Sequence, residues 1–252
     1  MDNKIETTET TPNKDKWIDQ MGQVEALKLL LDDQSKVINI LKENINNISE
    51  VVNKIFNHLK LSSEGRIIYV GAGTSARIAV QDAVELYPTF GWPIERIGFI
   101  IAGGLKALSS TVENAEDDTV DGVSQSKKID IKSQDVVIAL TASSKTPFTI
   151  EVLEYANHKK ALTIGISNNK GDIQKIAKQN ITLLTGSEIV AGSTRLKAGT
   201  SQKITLNLIS TMLMTKFGRV KNGLMVNMVA SNSKLKKREV LIKKLLSLDR
   251  NV

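Results

Sequence analysis

The sequence predicts an α/β fold: a doubly wound parallel sheet of five strands flanked by helices, with further helices at the N-terminus. Two observations lead to this prediction. Short β-branched runs alternate with helical stretches, which is typical of parallel sheets. The runs are almost continuously apolar, as expected for strands buried on both faces. With right-handed crossovers, the doubly wound topology is the simplest arrangement. The runs are 66–70, 97–101, 135–140, 161–166 and 180–184.

The N-terminal quarter predicts an arm followed by helices. Residues 1–16 are rich in Thr, Glu and Asn and include Pro12, a composition that indicates an extended arm. Between Val24 and Leu61, apolar residues recur at helical spacing with polar interruptions. Two or so amphipathic helices are therefore expected within residues 17–62.

Three later segments predict helices with distinct roles. A helix over 75–86 follows the first strand, and Pro147 suits the first position of another helix. The segment 201–217 is apolar over too wide an arc for a surface helix, so it should be buried in the core or in a subunit interface.

Composition excludes several chemistries. The chain has no cysteine and only two histidines, His58 and His158, so a disulfide, a thiolate nucleophile, a cysteine- or histidine-based metal site or a Ser-His-Asp triad is not expected. Acid/base chemistry then depends on carboxylates or lysines. No apolar run is long enough to span a membrane and the first residues are polar, so a cytoplasmic protein is expected.

The net charge of +7 belongs to the end of the chain. Residues 1–215 carry 24 basic and 25 acidic side chains, whereas residues 216–252 carry 10 and 2. The tail pattern suits a short amphipathic helix with a basic, solvated face. A nucleic-acid or membrane patch is the alternative, but the aromatic side chains used in single-strand binding are absent there.

Four small, hydroxyl-rich segments follow predicted strands, at the sheet edge where ligands bind in this topology. Each has a simple interpretation as a helix cap or turn. Two on neighbouring strands favour a shared anion site, because helix N-termini present free N–H groups. In the first, Thr74 and Ser75 are expected to cap the helix. The segments are GAGTSAR (71–77), TASSKTPF (141–148), ISNN (166–169) and AGSTRLKAGT (191–200).

Two carboxylates stand in segments of interest. Glu85 lies on the helix after the first glycine loop, and Glu116 lies in an acidic cluster after Gly103 and Gly104. From composition and spacing alone, a solvated surface charge is the simpler interpretation of each.

Together these motifs resemble the phosphosugar-binding SIS (sugar isomerase) domain, and specifically N-acetylmuramic acid 6-phosphate etherases. The similarity extends from about Thr8 to Leu241. The arm residues Thr8-Glu9 and Pro12-Asn13 also fit the start of that family. The main matching runs are IYVGAGTS (68–75), DAVE (82–85), IAGG (101–104), VENAED (112–117) and GSTRLKAGTSQK (192–203).

The resemblance implies a lyase that cleaves the D-lactyl ether of N-acetylmuramic acid 6-phosphate without a metal or organic cofactor. Its products are N-acetylglucosamine 6-phosphate and D-lactate. Glu85 matches the family's proton donor and Glu116 its second catalytic glutamate, the candidate base. An acid role for Glu85 needs a pKa raised by burial or like charge, which its apolar neighbours Val84, Leu86 and Tyr87 favour. The expected phosphosugar-binding residues are Gly73, Thr74, Ser75, Ser143, Ser144, Thr146, Ser193, Arg195 and Lys197.

The chain departs from the family pattern in the loop after the third strand. Ser144 replaces a glycine, adding a Cβ where a positive φ is expected, and Lys145 replaces an arginine and its bidentate geometry. One alternative stays open, a non-catalytic, regulatory sugar-phosphate-binding SIS protein. An aldose–ketose isomerase of the same fold would need a base in the same region and is excluded only by the detailed motif match.

The resemblance also implies a domain layout and an assembly. We expect an arm (1–16), N-terminal helices (17–62), the SIS domain (63–220) and a basic helical tail (221–252), without the family's further C-terminal helical region. A homodimer is implied, with the active site often completed by the neighbouring subunit. A small-molecule sugar phosphate is the expected partner, with neither nucleic acid nor membrane.

Overall fold

The computed structural model describes residues 7–13, 16–230 and 233–248, and the five-stranded parallel sheet is confirmed. The strand order is β2-β1-β3-β4-β5, and every pair is parallel. The fifth strand is shorter than predicted: its pairing with β4 ends at Ser167 and Thr182, where β4 itself ends. The strands are β1 (Ile67–Gly71), β2 (Ile97–Ile101), β3 (Val136–Thr141), β4 (Leu162–Ser167) and β5 (Gln179–Thr182).

Helices precede the sheet, connect its strands and follow it. A short antiparallel hairpin, β6 (Val220–Lys221) with β7 (Leu224–Met225), comes after the seventh helix. The helices are α1 (Gln23–Glu43), α2 (Ile45–Leu59), α3 (Gly73–Phe90), α4 (Thr119–Lys128), α5 (Pro147–His158), α6 (Ile173–Ile176), α7 (Lys197–Lys216) and α8 (Ser233–Leu248). Two short 3-10 turns, Thr7–Glu9 and Ala115–Asp117, matter for the site described below.

Hydrophobic clusters cover both faces of the sheet. Because side chains alternate along a strand, Ile67 and Tyr69 of β1 join one cluster while Ile68 and Val70 join the other. The first cluster packs the sheet against α2, α3 and α7. The second includes Phe148 and other residues of α5. Burial on both faces explains why the strands are nearly continuous apolar runs.

The seventh helix is buried, as its wide apolar arc predicted. Leu206, Ile209, Leu213 and Met214 lie in the first cluster. The helix starts at Lys197, four residues before the predicted start, and Leu196 is its N-cap residue. Its first turns also bury polar side chains, which continue into the functional site.

The third helix is longer than predicted. It begins at Gly73 and continues through Pro88 to Phe90, where Gly91 ends it in the left-handed conformation with φ +61°. Gly91 suits this position because it has no Cβ to hinder a positive φ. One face of α3 packs on the sheet through Ala79, Ala83 and Leu86.

The predicted division into arm, N-terminal helices, SIS domain and tail stays a prediction, and residues 1–6 and 14–15 of the arm lie outside the described residues. In the tail, α8 buries Ile242 and exposes Val240, Leu241 and Leu245. Within the described ranges, no helix has the length and apolar character needed to cross a membrane.

Candidate active site

A cavity of about 430 Å³ opens at the carboxyl ends of the neighbouring strands β1 and β3. The chain leaves these two strands toward opposite edges of the sheet, and crevices at such switch points are where ligands bind in doubly wound folds. The volume falls within the usual range for small-molecule sites. The lining residues are Glu9, Ala72, Gly73, Thr74, Ser75, Glu116, Asp117, Leu140, Thr141, Ala142, Ser143, Lys145, Thr146, Pro147, Gly192 and Thr194.

The loop after β1 forms one wall of the cavity. Gly73 has φ +53° and begins α3, so the first N–H groups of this helix have no intrahelical acceptor. The predicted capping by Thr74 and Ser75 is wrong: Ala72 occupies the N-cap position and no side chain bonds there. The hydroxyl of Ser75 instead donates to Gln202 Oε1 at 2.9 Å.

The loop after β3 supplies a second wall of hydroxyl groups. Thr141 Oγ1 lies 2.7 Å from Thr146 Oγ1 and 3.2 Å from Ser143 Oγ. Pro147 is the first residue of α5, as predicted, and Thr146 is its N-cap residue without a side-chain capping bond. The hydroxyls and the positive end of the helix dipole favour an anion at this position.

Ser144 adopts the expected positive φ, at +69°. Its side chain is fully buried, and its hydroxyl donates to the backbone oxygen of Asn169. Ser144 therefore does not line the cavity as its neighbours Ser143 and Lys145 do. Among the predicted phosphosugar-binding residues of this loop, Ser143 and Thr146 lie in the cavity.

Buried amide side chains hold the two walls together. Gln202 of α7 accepts from Ser75 and donates to Asn168 Oδ1 at 2.9 Å. Asn168 in turn donates to Ser201 Oγ at 2.8 Å. Asn169 donates to the backbone oxygen of Ala142 at 2.9 Å, which supports the β3–α5 loop from behind. The segment after β4 thus supports the cavity without lining it.

The two predicted catalytic glutamates occupy different places. Glu116 lies in the turn Ala115–Asp117 and lines the cavity. Glu85 is exposed on α3, about 18 Å along the helix axis from Gly73 at the cavity. Its neighbours Val84 and Tyr87 are exposed as well, so the burial expected around Glu85 is not provided by the described part of its own chain.

The last three predicted phosphosugar-binding residues lie outside the cavity. Ser193 and the exposed Arg195 do not line it, although their neighbours Gly192 and Thr194 do. Lys197 is buried elsewhere: its Nζ lies 2.9 Å from Asp33 of α1 and donates to the Ser187 backbone oxygen at 2.6 Å. Its placement is that of a structural ion pair, because the side chain is committed to these acceptors.

The carboxylate of Glu188 caps the start of α7. It accepts from the backbone N–H groups of Lys197 at 3.1 Å and Ala198 at 2.9 Å. Burial raises the pKa of Glu188, and these hydrogen bonds oppose the change. The cap holds the end of the loop from Gly192 to Thr194 in place.

Sequence reasoning did not select Glu9 as a site residue, although it lines the cavity. The arm turn Thr7–Glu9 packs against Asn169 and Gly192, and the Glu9 side chain lines the cavity. The only signal in the sequence was the Thr8-Glu9 pair within the family resemblance, because an isolated carboxylate in a polar arm carries no pattern of its own. Within the described residues, no cluster of three or more His, Asp or Glu side chains is arranged to hold a metal ion.

Comparison with solved structures supports the fold. A phosphoheptose isomerase from Francisella tularensis aligns with a TM-score of 0.56 at 16% identity, covering 77% of this chain and 100% of that one. An Escherichia coli CFT073 protein, solved as a ligand complex, aligns with a TM-score of 0.58 at 16% identity, covering 81% and 97%. Residues 47–157 match the family model of the glucokinase regulatory protein N-terminal SIS domain. The sheet is thus an SIS-type sheet.

Relatives found by sequence have a much higher identity to this chain than these solved structures have. The chain is 44% identical over 231 residues to an N-acetylmuramic acid 6-phosphate etherase of Mycoplasma mycoides, covering 91% of this chain and 76% of the relative. It is 45% identical over 222 residues to that of Francisella tularensis, covering 88% and 75%, and 43% identical over 237 residues to that of Clostridium acetobutylicum, covering 94% and 78%. With this identity over most of both chains, the protein belongs to the N-acetylmuramic acid 6-phosphate etherase family of lyases.

Proposed function

We propose that this protein cleaves the D-lactyl ether of N-acetylmuramic acid 6-phosphate, giving N-acetylglucosamine 6-phosphate and D-lactate. The observation that supports the proposal is the position of Glu116, which lines the same cavity as the two hydroxyl-rich loops after β1 and β3. Family membership supplies the substrate, since the relatives at 44 and 45% identity are named for this ether.

The phosphate is proposed to bind the hydroxyls of Thr141, Ser143 and Thr146, together with the first N–H groups of α3 and α5. These are neutral donors, and the helix dipoles add positive potential at the same edge. Such contacts hold the phosphate and leave the sugar carbons within the rest of the cavity, beside Glu116.

Elimination from the open-chain sugar needs a base and an acid. In the proposed reaction, Glu116 removes the C2 proton, which the C1 aldehyde acidifies. The electron pair forms the C2–C3 double bond as the C3–O bond breaks, and an acid protonates the departing lactate oxygen. Water then adds its oxygen to C3 while C2 regains a proton.

The acid in this scheme is Glu85 of a second subunit. Within one chain Glu85 lies too far along α3 to reach the cavity. It stands on an exposed surface with Val84, 51% exposed, and Tyr87, 39% exposed. Apolar residues around a carboxylate on a helix face suit a homodimer contact, which would also bury Glu85.

The direct test is to incubate the purified protein with N-acetylmuramic acid 6-phosphate and assay D-lactate. Release of D-lactate is expected, and Glu116→Gln should reduce it by at least about 100-fold while sugar-phosphate binding persists. Glu113→Gln is a matched control, because Glu113 is a neighbouring exposed carboxylate outside this cavity. Absence of D-lactate from a folded wild-type protein would contradict the proposal.

The second candidate is a non-catalytic sugar-phosphate sensor. The family-model match to a regulatory protein's SIS domain favours it. So does the loop after β3, which departs from the family pattern at Ser144. Calorimetric binding of several sugar phosphates without turnover would decide for the sensor. A cavity carboxylate at Glu116 favours the lyase, because a sensor does not need a base beside its ligand.

A further inference from the structure

The arm turn Thr7–Glu9 is fixed at the carboxyl end of the sheet by four hydrogen bonds. Thr7 donates to Asn169 Oδ1 from its backbone N at 3.0 Å and from its hydroxyl at 2.7 Å. Asn169 Nδ2 donates to Thr8 Oγ1 at 3.0 Å, and Gly192 N donates to the Thr8 backbone oxygen at 3.1 Å. Thr8 is fully buried. The backbone leading to Glu9 is therefore held by the same Asn169 that supports the β3–α5 loop.

The place of the Glu9 carboxylate depends on Gly192. A Cβ added to Gly192 would lie 2.5 Å from Glu9 Oε2, so the carboxylate would have to move, and 3.3 Å from Glu9 Cδ, a tight contact. Both residues line the cavity. The missing side chain of Gly192 thus leaves the space that the carboxylate occupies.

We propose that Glu9 binds the substrate directly and determines specificity, accepting hydrogen bonds from neutral O–H or N–H groups of the bound sugar phosphate. A carboxylate repels the phosphate and the lactyl carboxylate, so only the sugar's hydroxyls or its acetamido N–H suit it. The two anionic ends of the substrate are then directed away from Glu9. This inference rests on the proposed function for the identity of the sugar.

In this proposal Glu9 contacts the sugar and not the phosphate. Its removal should therefore weaken the binding of a sugar phosphate without weakening the binding of inorganic phosphate. We expect Glu9→Ala to weaken binding of N-acetylglucosamine 6-phosphate by about 10- to 100-fold, the loss typical of a hydrogen bond to a charged group. Binding of inorganic phosphate should stay unchanged or tighten, because a nearby negative charge is removed. Both are measured by titration calorimetry on the full chain. Glu64→Ala, an exposed carboxylate before β1 at the opposite end of the sheet, is the control.

A pair of glycine variants tests the same contact without touching Glu9. Gly192 and Gly186 have almost the same φ, +71° and +69°, but a Cβ on Gly186 would meet nothing within 4 Å. Gly192→Ala should therefore reproduce the affinity loss of Glu9→Ala, whereas Gly186→Ala should carry only the backbone strain. In the double variant Glu9→Ala with Gly192→Ala, the two losses of sugar-phosphate affinity should not add, because both substitutions disrupt the same contact between Glu9 and the sugar.

The outcomes are separable from those of the proposed function. A selective loss of sugar-phosphate affinity in Glu9→Ala supports the inference even if the wild type releases no D-lactate. Equal losses for sugar phosphate and inorganic phosphate would overturn it, since Glu9 would then merely stabilise the loops. Unchanged affinity for both ligands in a folded variant would overturn it as well.

Discussion

At the scale of single residues, Ser144 shows a side chain that occupies a backbone conformation usually taken by glycine. Ser144 is held at φ +69° with its Cβ buried, a conformation that glycine adopts without strain. Its hydroxyl bond to Asn169 offsets part of that cost. The acceptor does not depend on it, because Ser167 Oγ and Gln174 Nε2 also donate to the Asn169 oxygen, each at 3.0 Å.

Two substitutions of Ser144 separate strain from hydrogen bonding. Ser144→Ala loses the hydroxyl but keeps the Cβ, whereas Ser144→Gly loses both. The glycine variant should be the more stable of the two by about 1 kcal/mol, the usual cost of a Cβ at positive φ. Denaturant unfolding measures this difference. An alanine variant as stable as the glycine variant would show that the loop stores no strain.

At the scale of elements, a buried polar cluster connects α3 to α7. Asp82 accepts from Asn207 Nδ2 at 2.7 Å, from Ser210 Oγ at 3.0 Å and from the Tyr69 hydroxyl at 3.3 Å. Burial raises the pKa of Asp82 above its ordinary value of 3.8, and these hydrogen bonds oppose the change. This cluster fixes the helix that begins at the cavity.

The raised pKa gives a pH dependence of known sign. The folded protein binds the Asp82 proton more tightly than the unfolded chain does, so this group stabilises the fold as pH falls through the raised pKa toward 3.8. Compared with Asp82→Asn, the wild type should therefore gain unfolding free energy over this interval. Unfolding curves at stepped pH measure it, and parallel profiles for the two proteins would contradict the assignment.

A second connection, the ion pair of Lys197 with Asp33, joins α7 to α1. Both side chains are about 95% buried, at 4 and 5% exposure. Lys197→Met should lower the free energy of unfolding by about 3 kcal/mol, because it leaves the buried Asp33 carboxylate without its buried cationic partner. Adding Asp33→Leu should restore much of the loss.

Lys36→Met is the control for this pair. Lys36 also contacts Asp33 at 2.9 Å, but its side chain is 60% exposed. Replacing it should therefore lower the free energy of unfolding by no more than about 1 kcal/mol. If Lys197→Met lowered sugar-phosphate affinity with no loss of stability, the structural placement of Lys197 would be wrong.

At the scale of the whole molecule, the fold was more predictable than the site. Alternating apolar runs and helices follow from burial on both faces of the sheet, so the strands were predicted nearly to the residue. Glycines and hydroxyls at the ends of β1 and β3 likewise pointed to Thr74, Ser143 and Thr146, which line the cavity, and their binding of a phosphosugar stays a prediction. These signals are local in sequence and needed no knowledge of tertiary contacts.

What could not be predicted depends on contacts distant in sequence. Lys197 stands in a hydroxyl-rich loop, yet its partner Asp33 is 164 residues away. Glu9 reaches the cavity because Asn169, 161 and 162 residues from Thr8 and Thr7, binds the arm. Glu85 was assigned to the site by the family resemblance alone, and the rise of α3 carries it away from the cavity of its own chain.

We propose that Glu116 of one subunit and Glu85 of another act together on the lactyl ether, and mixing of subunits from two variants tests this sharing. Glu85→Gln and Glu116→Gln proteins, each inactive alone, are unfolded and refolded together in equal amounts, and D-lactate release is assayed. Half of the dimers are then mixed, and each mixed dimer contains one intact site and one doubly substituted site. We predict recovery of roughly one quarter of wild-type activity. No recovery from mixed dimers, verified by differently tagged subunits, would contradict the shared site.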